Sequence, residues 1–283
     1  MPYTTLIDTE TLARHLEDPG WVVFDCRHDL ANPDWGAAEY AVSHVPGARF
    51  LHLDRDLSGP MTGRNGRHPL PDPATLAAKL GAAGVGPATQ VVTYDGQGAA
   101  YAARAWWLLR WLGHDAVAVL DGGFGKWVRE GRPVSAAAPQ PVPARFDARP
   151  TRGAVDAAFL VAHLHNPSVC VVDARASDRY RGENETLDPV AGHIPGSVNR
   201  FFRDNLDAGG RFKSAEALRA EWLALLAGRP PESVVHSCGS GVSACHNLFA
   251  MELAGLPGSR LYPGSWSEWI ADPARPVATG PNP

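Results

Sequence analysis

The residue of this chain best suited to chemistry is Cys238, at a predicted turn from a strand to a helix. Val234 and Val235, within residues 233–237, form an apolar, β-branched run typical of a short buried strand, and apolar spacing from residue 242 onward predicts a helix. Gly239 and Gly241 allow a tight loop whose backbone N–H groups point at the sulfur. These N–H groups and the helix dipole favour a thiolate, so we predict a nucleophile; the alternative is a buried structural thiol.

The strand and helix around Cys238 belong to a pattern that occurs twice in the chain. Four segments of the second half match the first half in the same order: 171–175 with 23–27, 192–197 with 43–48, 234–239 with 91–96, and 263–269 with 121–127. Such a repeat indicates a duplicated α/β domain. Residues rich in alanine and proline separate the copies and predict an extended linker. We therefore predict one domain over residues 1–135, a linker over 136–150 and a second domain over 151–283.

The repeat also indicates which copy is active. Asp95 occupies the place of Cys238 in the first copy. A carboxylate lacks the nucleophilic sulfur of a thiolate, and it repels an anion brought into the loop. We therefore expect the first domain to be catalytically inert.

Residues 238–244, Cys-Gly-Ser-Gly-Val-Ser-Ala, resemble the active-site loop of the rhodanese-type sulfurtransferases. They are most similar to the 3-mercaptopyruvate form of that family, with Ser243 where a threonine is usual. The resemblance covers nearly the whole chain and implies an α/β fold of tandem rhodanese-like domains, each a parallel sheet with helices on both faces. It also implies transfer of a sulfane sulfur from 3-mercaptopyruvate to a thiol or cyanide through a persulfide on Cys238, without a metal or organic cofactor.

The resemblance extends to the residues that bind the small anionic donor. It implies that Arg179, with the loop residues Gly239, Gly241, Val242 and Ser243, binds the donor and the charged sulfur. The 3-mercaptopyruvate form usually has a second arginine shortly after the motif that contains Arg179. Residues 182–190 are shorter here and contain no arginine, which leaves the preferred donor open.

A proton relay is a further expectation from the resemblance. Ser240 fills the serine position of the loop, His44 matches a histidine placed near the cleft, and Asp34 is the acid that fits best. The alternative for His44 is a turn histidine bonded to a backbone carbonyl, because His193 occupies the same place in the other copy. Arg67 and His68 could also line the cleft, although a plain loop role is favoured for them.

Three other functions remain open at this stage. Thiosulfate could be the donor, but the thiosulfate form usually has two basic residues where Gly239 and Ser240 stand. A cysteine phosphatase needs an arginine six residues after the cysteine, and Ala244 is found there. A non-catalytic sulfur carrier or binding module would lack turnover.

Composition excludes several further classes. The net charge of -4 argues against a nucleic-acid binder, and no apolar run approaches the ~20 residues needed to cross a membrane. The N-terminus resembles no signal peptide, and the four cysteines show no zinc pattern, so we expect a reduced cytoplasmic setting. We expect a monomer that passes sulfur to a thiol, to cyanide or to a thioredoxin-like protein.

Overall fold

Two units, each built on its own parallel sheet, are found in the computed structural model, which describes residues 1–151, 153–164 and 166–282. Positions 152, 165 and 283 of the predicted second domain lie outside the described residues. The first unit comprises residues 1–59, 70–151 and 208–211, and residues 60–69 group with the second unit. The predicted linker runs along the first unit, where Ala144 N–H donates to the Gly81 carbonyl at 2.8 Å. The domain boundaries drawn from the repeat stay a prediction.

The first unit has a five-stranded sheet in the order β1-β5-β4-β2-β3, with every neighbouring pair parallel. Its strands are β1 (Leu6–Ile7), β2 (Trp21–Asp25), β3 (Arg49–Phe50), β4 (Gln90–Tyr94) and β5 (Val117–Leu120). Its helices are α1 (Thr9–Arg14), α2 (Trp35–Val42), α3 (Pro73–Ala82), α4 (Ala100–Trp111) and α5 (Gly123–Arg129).

Local sequence explains these elements. Asp8 and Asp72 cap α1 and α3, because their side chains accept the N–H groups of Thr11 and Thr75. All residues of β4 and β5 are buried, although successive side chains of a strand point to opposite faces. Both faces of this part of the sheet are therefore covered, as a parallel sheet requires.

The second unit has a four-stranded parallel sheet in the order β7-β6-β8-β9. Its strands are β6 (Cys170–Asp173), β7 (Val198–Asn199), β8 (Val234–Ser237) and β9 (Arg260–Leu261). Its α-helices are α6 (Ala157–His163), α7 (Ser177–Arg181), α8 (Ala215–Leu226), α9 (Ser243–Leu253) and α10 (Ser265–Trp269). Short 3-10 helices cover Phe202–Asn205 and Pro231–Ser233.

The two sheets confirm the predicted α/β class. Strands β6 and β8 are parallel neighbours, and their last residues, Asp173 and Ser237, lie opposite each other. The chain that follows each strand therefore emerges at the same sheet edge, which brings Arg175 and Cys238 together. Ligands of such sheets bind at this carboxyl edge. Among the described residues, no helix is both long and apolar enough to span a membrane.

Candidate active site

Cys238 lies directly after β8, with only 2% of its surface exposed. The Gly241 N–H donates to its Sγ at 3.1 Å. Gly241 has φ +80°, and a Cβ there would lie 2.3 Å from the Pro263 carbonyl oxygen. Only glycine meets both conditions, since other residues rarely adopt this backbone conformation. The sequence thus forces a loop that aims a backbone donor at the thiol.

The loop is fixed from the other side by the start of α10. Cys238 N–H donates to Ser265 Oγ at 3.0 Å, and the N–H groups of Trp266 and Ser267 donate to the carbonyls of Cys238 and Gly239, both at 2.9 Å. Ser265 has φ +52°, which is uncommon for a residue with a Cβ. It is fully buried. Strained backbone of this kind persists only where the surroundings impose it, and it clusters at functional sites.

Two guanidinium groups converge beside the cysteine, those of Arg67 and Arg179. A Cβ built on Gly239 would lie 2.9 Å from Arg67 Nη2 and 3.6 Å from Arg179 Nη2. Burial lowers the pKa of Arg67, while the charge of Cys238 raises it. A side chain at position 239 would therefore displace the guanidinium of Arg67, and Gly239 leaves room for it. Arg67 belongs to residues 60–69, the segment that groups with the second unit.

Two carboxylates balance these cations. Arg179 binds Glu185 through Nε and Nη2, with Nη2 at 2.8 Å from Oε1, and Nη2 also lies 3.4 Å from Asp188 Oδ2. Arg67 Nη1 donates to Asp188 Oδ1. The side chains of Glu185 and Asp188 are each 2% exposed. Among the described contacts, Nη2 of Arg67 and Nη1 of Arg179 take no part in these ion pairs, and they lie 2.9 and 3.9 Å from the Cβ position of Gly239.

Arg175 has a structural position beneath this cluster. Its guanidinium binds Asp173 through Nε and Nη2 and the Gly192 carbonyl through Nη2 at 2.7 Å. Arg27 makes the same contacts in the first unit, with Asp25 and the Ser43 carbonyl. Because the pair recurs in both copies, it serves the fold.

Ser240 meets a histidine that sequence reasoning had favoured only as a loop residue. Its Oγ lies 2.7 Å from Nδ1 of His68, and both residues are buried. A buried imidazole bonded to a hydroxyl can pass a proton through it. No local signal indicated this pairing, because residues 66–71 precede Ser240 by more than half the chain.

The structure gives His44 and Asp34 other surroundings. His44 stacks on Tyr40, with Nδ1 2.7 Å from the Tyr40 carbonyl and Nε2 3.2 Å from that of Ala137. His193 stacks on Tyr180 and contacts its carbonyl in the same way. The Asp34 side chain is 86% exposed and pairs with Arg55. The catalytic roles stay predictions, but this geometry favours the turn role for His44.

The first copy has the same loop with its anion site filled by its own side chain. The Asp95 carboxylate accepts N–H groups at 2.8 to 3.0 Å from Gln97, Ala99, Tyr101 and Ala102. Burial raises the pKa of Asp95, although these bonds lower it. The backbone amides of this loop therefore bind a carboxylate in the first unit, and the inertness of that unit stays a prediction.

One group of side chains could be considered for a metal ion. Among the described residues, possible ligand atoms of His28, His52 and Asp54 lie within 4.8 Å of one another. However, His52 Nδ1 accepts the N–H groups of Asp54 and Arg55 at 3.1 and 3.4 Å. In a neutral imidazole Nε2 then carries the proton, and the lone pair of Nδ1 is used by these hydrogen bonds, so His52 has no lone pair left for a metal ion. The arrangement does not suit a metal.

Comparison with known proteins agrees with this geometry. Residues 8–130 and 156–272 each match the family model for the rhodanese-like domain. A Pseudomonas aeruginosa protein named probable 3-mercaptopyruvate sulfurtransferase is 51% identical over 99% of this chain and 100% of its own length. Thiosulfate sulfurtransferase from Bos taurus is 36% identical over 95% of this chain and 92% of its own. The structure of 3-mercaptopyruvate sulfurtransferase from Leishmania major superposes with a TM-score of 0.82 and 30% identity, over 94% of this chain and 74% of that protein.

Proposed function

Because the chain belongs to the rhodanese family of sulfurtransferases, we propose that it moves sulfur from 3-mercaptopyruvate to an acceptor through a persulfide on Cys238. The observation that carries this proposal is the approach of two guanidinium groups to Gly239, directly beside the buried thiol. Two guanidinium groups at this position can bind the carboxylate of the donor while the donor's sulfur lies next to Cys238 Sγ.

We propose that Arg67 serves as the second donor-binding arginine that residues 182–190 lack. The segment 182–190 has no arginine, but Arg67 reaches the same cluster from residues 60–69. In the proposed complex, the donor carboxylate lies between Nη2 of Arg67 and Nη1 of Arg179. Both nitrogens lie within 4 Å of the Cβ position of Gly239, and in the described contacts neither takes part in the ion pairs with Glu185 and Asp188.

The first half-reaction forms the persulfide. The Cys238 thiolate attacks the donor sulfur, the carbon–sulfur bond breaks, and its electron pair leaves on carbon as the enolate of pyruvate. The enolate takes a proton from the Ser240 hydroxyl, which recovers one from the protonated imidazole of His68 through Nδ1, 2.7 Å away. His68 then takes up the proton that the donor's thiol releases as the outer sulfur becomes a persulfide anion. The products are pyruvate and a sulfur bound to Cys238.

Backbone amides hold the charge that then rests on the outer sulfur. The Asp95 loop supports this step, since there the amides of residues 97, 99, 101 and 102 bind a carboxylate. By the repeat, residues 240, 242, 244 and 245 are their counterparts. Gly241 N–H, already on Sγ, completes the cradle together with Gly239, Val242 and Ser243.

The second half-reaction returns the enzyme to its starting state. A thiol, cyanide or a thioredoxin-like protein attacks the outer sulfur, the sulfur–sulfur bond breaks, and its electron pair returns to the Cys238 thiolate. We also propose a monomer in a reduced cytoplasm, in keeping with four cysteines that form no disulfide in the described part of the chain. Light scattering of the purified protein tests the monomer.

Thiosulfate is the second candidate donor, because thiosulfate sulfurtransferases are among the similar proteins. It uses the same persulfide but leaves sulfite, which needs no proton. Gly239 and Ser240 add no positive charge for this dianion. We therefore expect a larger kcat/KM for 3-mercaptopyruvate.

The test is kcat/KM for both donors on one preparation, with cyanide as the acceptor. Cys238→Ser should abolish turnover, and Cys245→Ser, which changes a buried helix residue, should retain most of it. Intact mass after donor treatment should show one added sulfur in the wild type and none in Cys238→Ser. Turnover by Cys238→Ser would refute the mechanism. Loading without turnover would indicate a sulfur carrier instead.

A further inference from the structure

Asp188 has an unusual position between the two donor-binding guanidinium groups. Its Oδ1 accepts from Arg67 Nη1, and its Oδ2 lies 3.4 Å from Arg179 Nη2. Its side chain is 2% exposed, so water screens the charge little. One carboxylate thus links both cations that the donor must use.

The charges around Cys238 cancel before a donor arrives. Three guanidinium groups stand against three buried carboxylates, namely Arg67, Arg175 and Arg179 against Asp173, Glu185 and Asp188. When Cys238 is a thiolate, the cluster as a whole therefore has one net negative charge. Because Coulomb repulsion scales with the product of the charges, a dianion is repelled twice as strongly as a monoanion.

We propose that Asp188 is a specificity-determining residue that makes the site select a monoanionic donor over a dianionic one. This inference rests on the proposed function and deepens it. Asp188 keeps Arg67 and Arg179 side by side while it cancels one of their charges. A carboxylate donor can then bind through directed hydrogen bonds, whereas a dianion such as thiosulfate gains too little attraction.

Glu185 does not fit this role equally well. Its Oε1 accepts the N–H groups of Leu187 and Asp188, and its Oε2 lies 3.3 Å from Arg175. Removal of Glu185 would therefore disturb the loop as well as the charge. Asp188 contacts the two donor-binding side chains, so its charge can be changed more selectively.

The experiment compares both donors in Asp188→Asn. Asparagine keeps an oxygen for Arg67 and removes the charge. The ratio of kcat/KM for thiosulfate to that for 3-mercaptopyruvate should rise about tenfold, since like-charge repulsion in a site is costly and the dianion gains twice from its relief. The shift should weaken at high ionic strength.

Two control variants separate charge from structure. Asp188→Glu keeps the charge, and Glu183→Gln removes an exposed carboxylate of the same loop that pairs with Arg181. Both should keep the wild-type ratio. An unchanged ratio in Asp188→Asn, or an equal shift in either control, overturns the inference. A wild-type protein that prefers thiosulfate contradicts the proposed donor, whereas the change in ratio between wild type and Asp188→Asn tests the role of Asp188 whichever donor is preferred.

Should Asp188→Asn fail to fold, the wild-type protein still provides the test. Pyruvate, a monoanion, should compete with 3-mercaptopyruvate at a lower concentration than sulfate, a dianion of similar size. Stronger competition by sulfate would overturn the inference.

Discussion

At the scale of single residues, the second unit brings together a thiol, two guanidinium groups and a hydrogen bond between Ser240 and His68. Cys238 and Arg179, whose roles stay predictions, could be found from local motifs that follow a strand, and the structure places them close together. His68 and Arg67 could not be assigned in this way. Their segment packs with residues far along the chain, and neither composition nor spacing in residues 60–69 indicates that partner.

The relay gives a prediction that distinguishes two histidines. His68→Asn keeps a donor near Ser240 but cannot pass a proton, so kcat with 3-mercaptopyruvate should fall roughly 100-fold with little change in KM. Turnover of thiosulfate should fall much less, because sulfite leaves without a proton. Steady-state kinetics with both donors measure the difference.

His44→Asn is the control for this prediction. His44 is fully buried and stacked on Tyr40, so its loss should lower the melting temperature. It should not show a donor-selective loss of kcat. If His44→Asn shows that loss and His68→Asn does not, the relay originally expected from the sequence is correct.

At the scale of elements, the catalytic loop and the start of α10 form one structural piece. Its counterpart in the first unit has Gly123 at φ +56° where the second unit has Ser265 at φ +52°. Glycine adopts this conformation at little cost, whereas serine adds strain. The Oγ of Ser265 offsets that strain because it accepts the Cys238 N–H.

This comparison predicts which of two substitutions at Ser265 gives the more stable protein. Ser265→Ala keeps the strain and leaves the Cys238 N–H without its acceptor, while Ser265→Gly loses the acceptor but relieves the strain. Urea unfolding should find Ser265→Gly more stable by about 1 kcal/mol, and both less active than wild type. A more stable alanine variant would show that the φ of Ser265 is unstrained.

Strand β8 carries a second buried group with a consequence for acid stability. Complete burial lowers the pKa of His236 to about 3, so the folded state holds it neutral. An unfolded histidine binds a proton near pH 6.5. Below pH 6.5 the unfolded state therefore binds a proton that the folded state does not. As far as His236 is concerned, the free energy of unfolding is highest above pH 6.5 and falls by about 1.4 kcal/mol per pH unit as the pH is lowered towards 3.

The corresponding test is urea unfolding between pH 7 and pH 4. His236→Phe should have a flatter dependence of unfolding free energy on pH than wild type, whatever its stability at pH 7. His15→Gln, which changes a more exposed histidine, should keep the wild-type slope. Equal slopes for His236→Phe and wild type would mean that His236 does not contribute to the loss of stability in acid.

At the scale of the whole molecule, the repeat explains the fold better than the site. Matched segments such as residues 23–27 and 171–175 determine equivalent strands and ion pairs in both units, so the α/β class could be predicted from the sequence. The chemistry depends instead on positions where the copies differ. Tyr40 and Tyr180 are equivalent through their stacked histidines, which places Glu39 where the second unit has Arg179.

The last prediction concerns the two copies in one chain. The double variant Asp95→Cys, Cys238→Ser restores a thiol to the first unit, whose loop amides already bind a carboxylate. It should still fail to turn over 3-mercaptopyruvate, because Glu39 has the wrong charge for the donor anion. Wild type should accept one sulfur per chain by intact mass, and the double variant none. Loading of the first-unit cysteine at a rate near wild type would show that the loop alone suffices and that the arginines beside Cys238 serve another purpose.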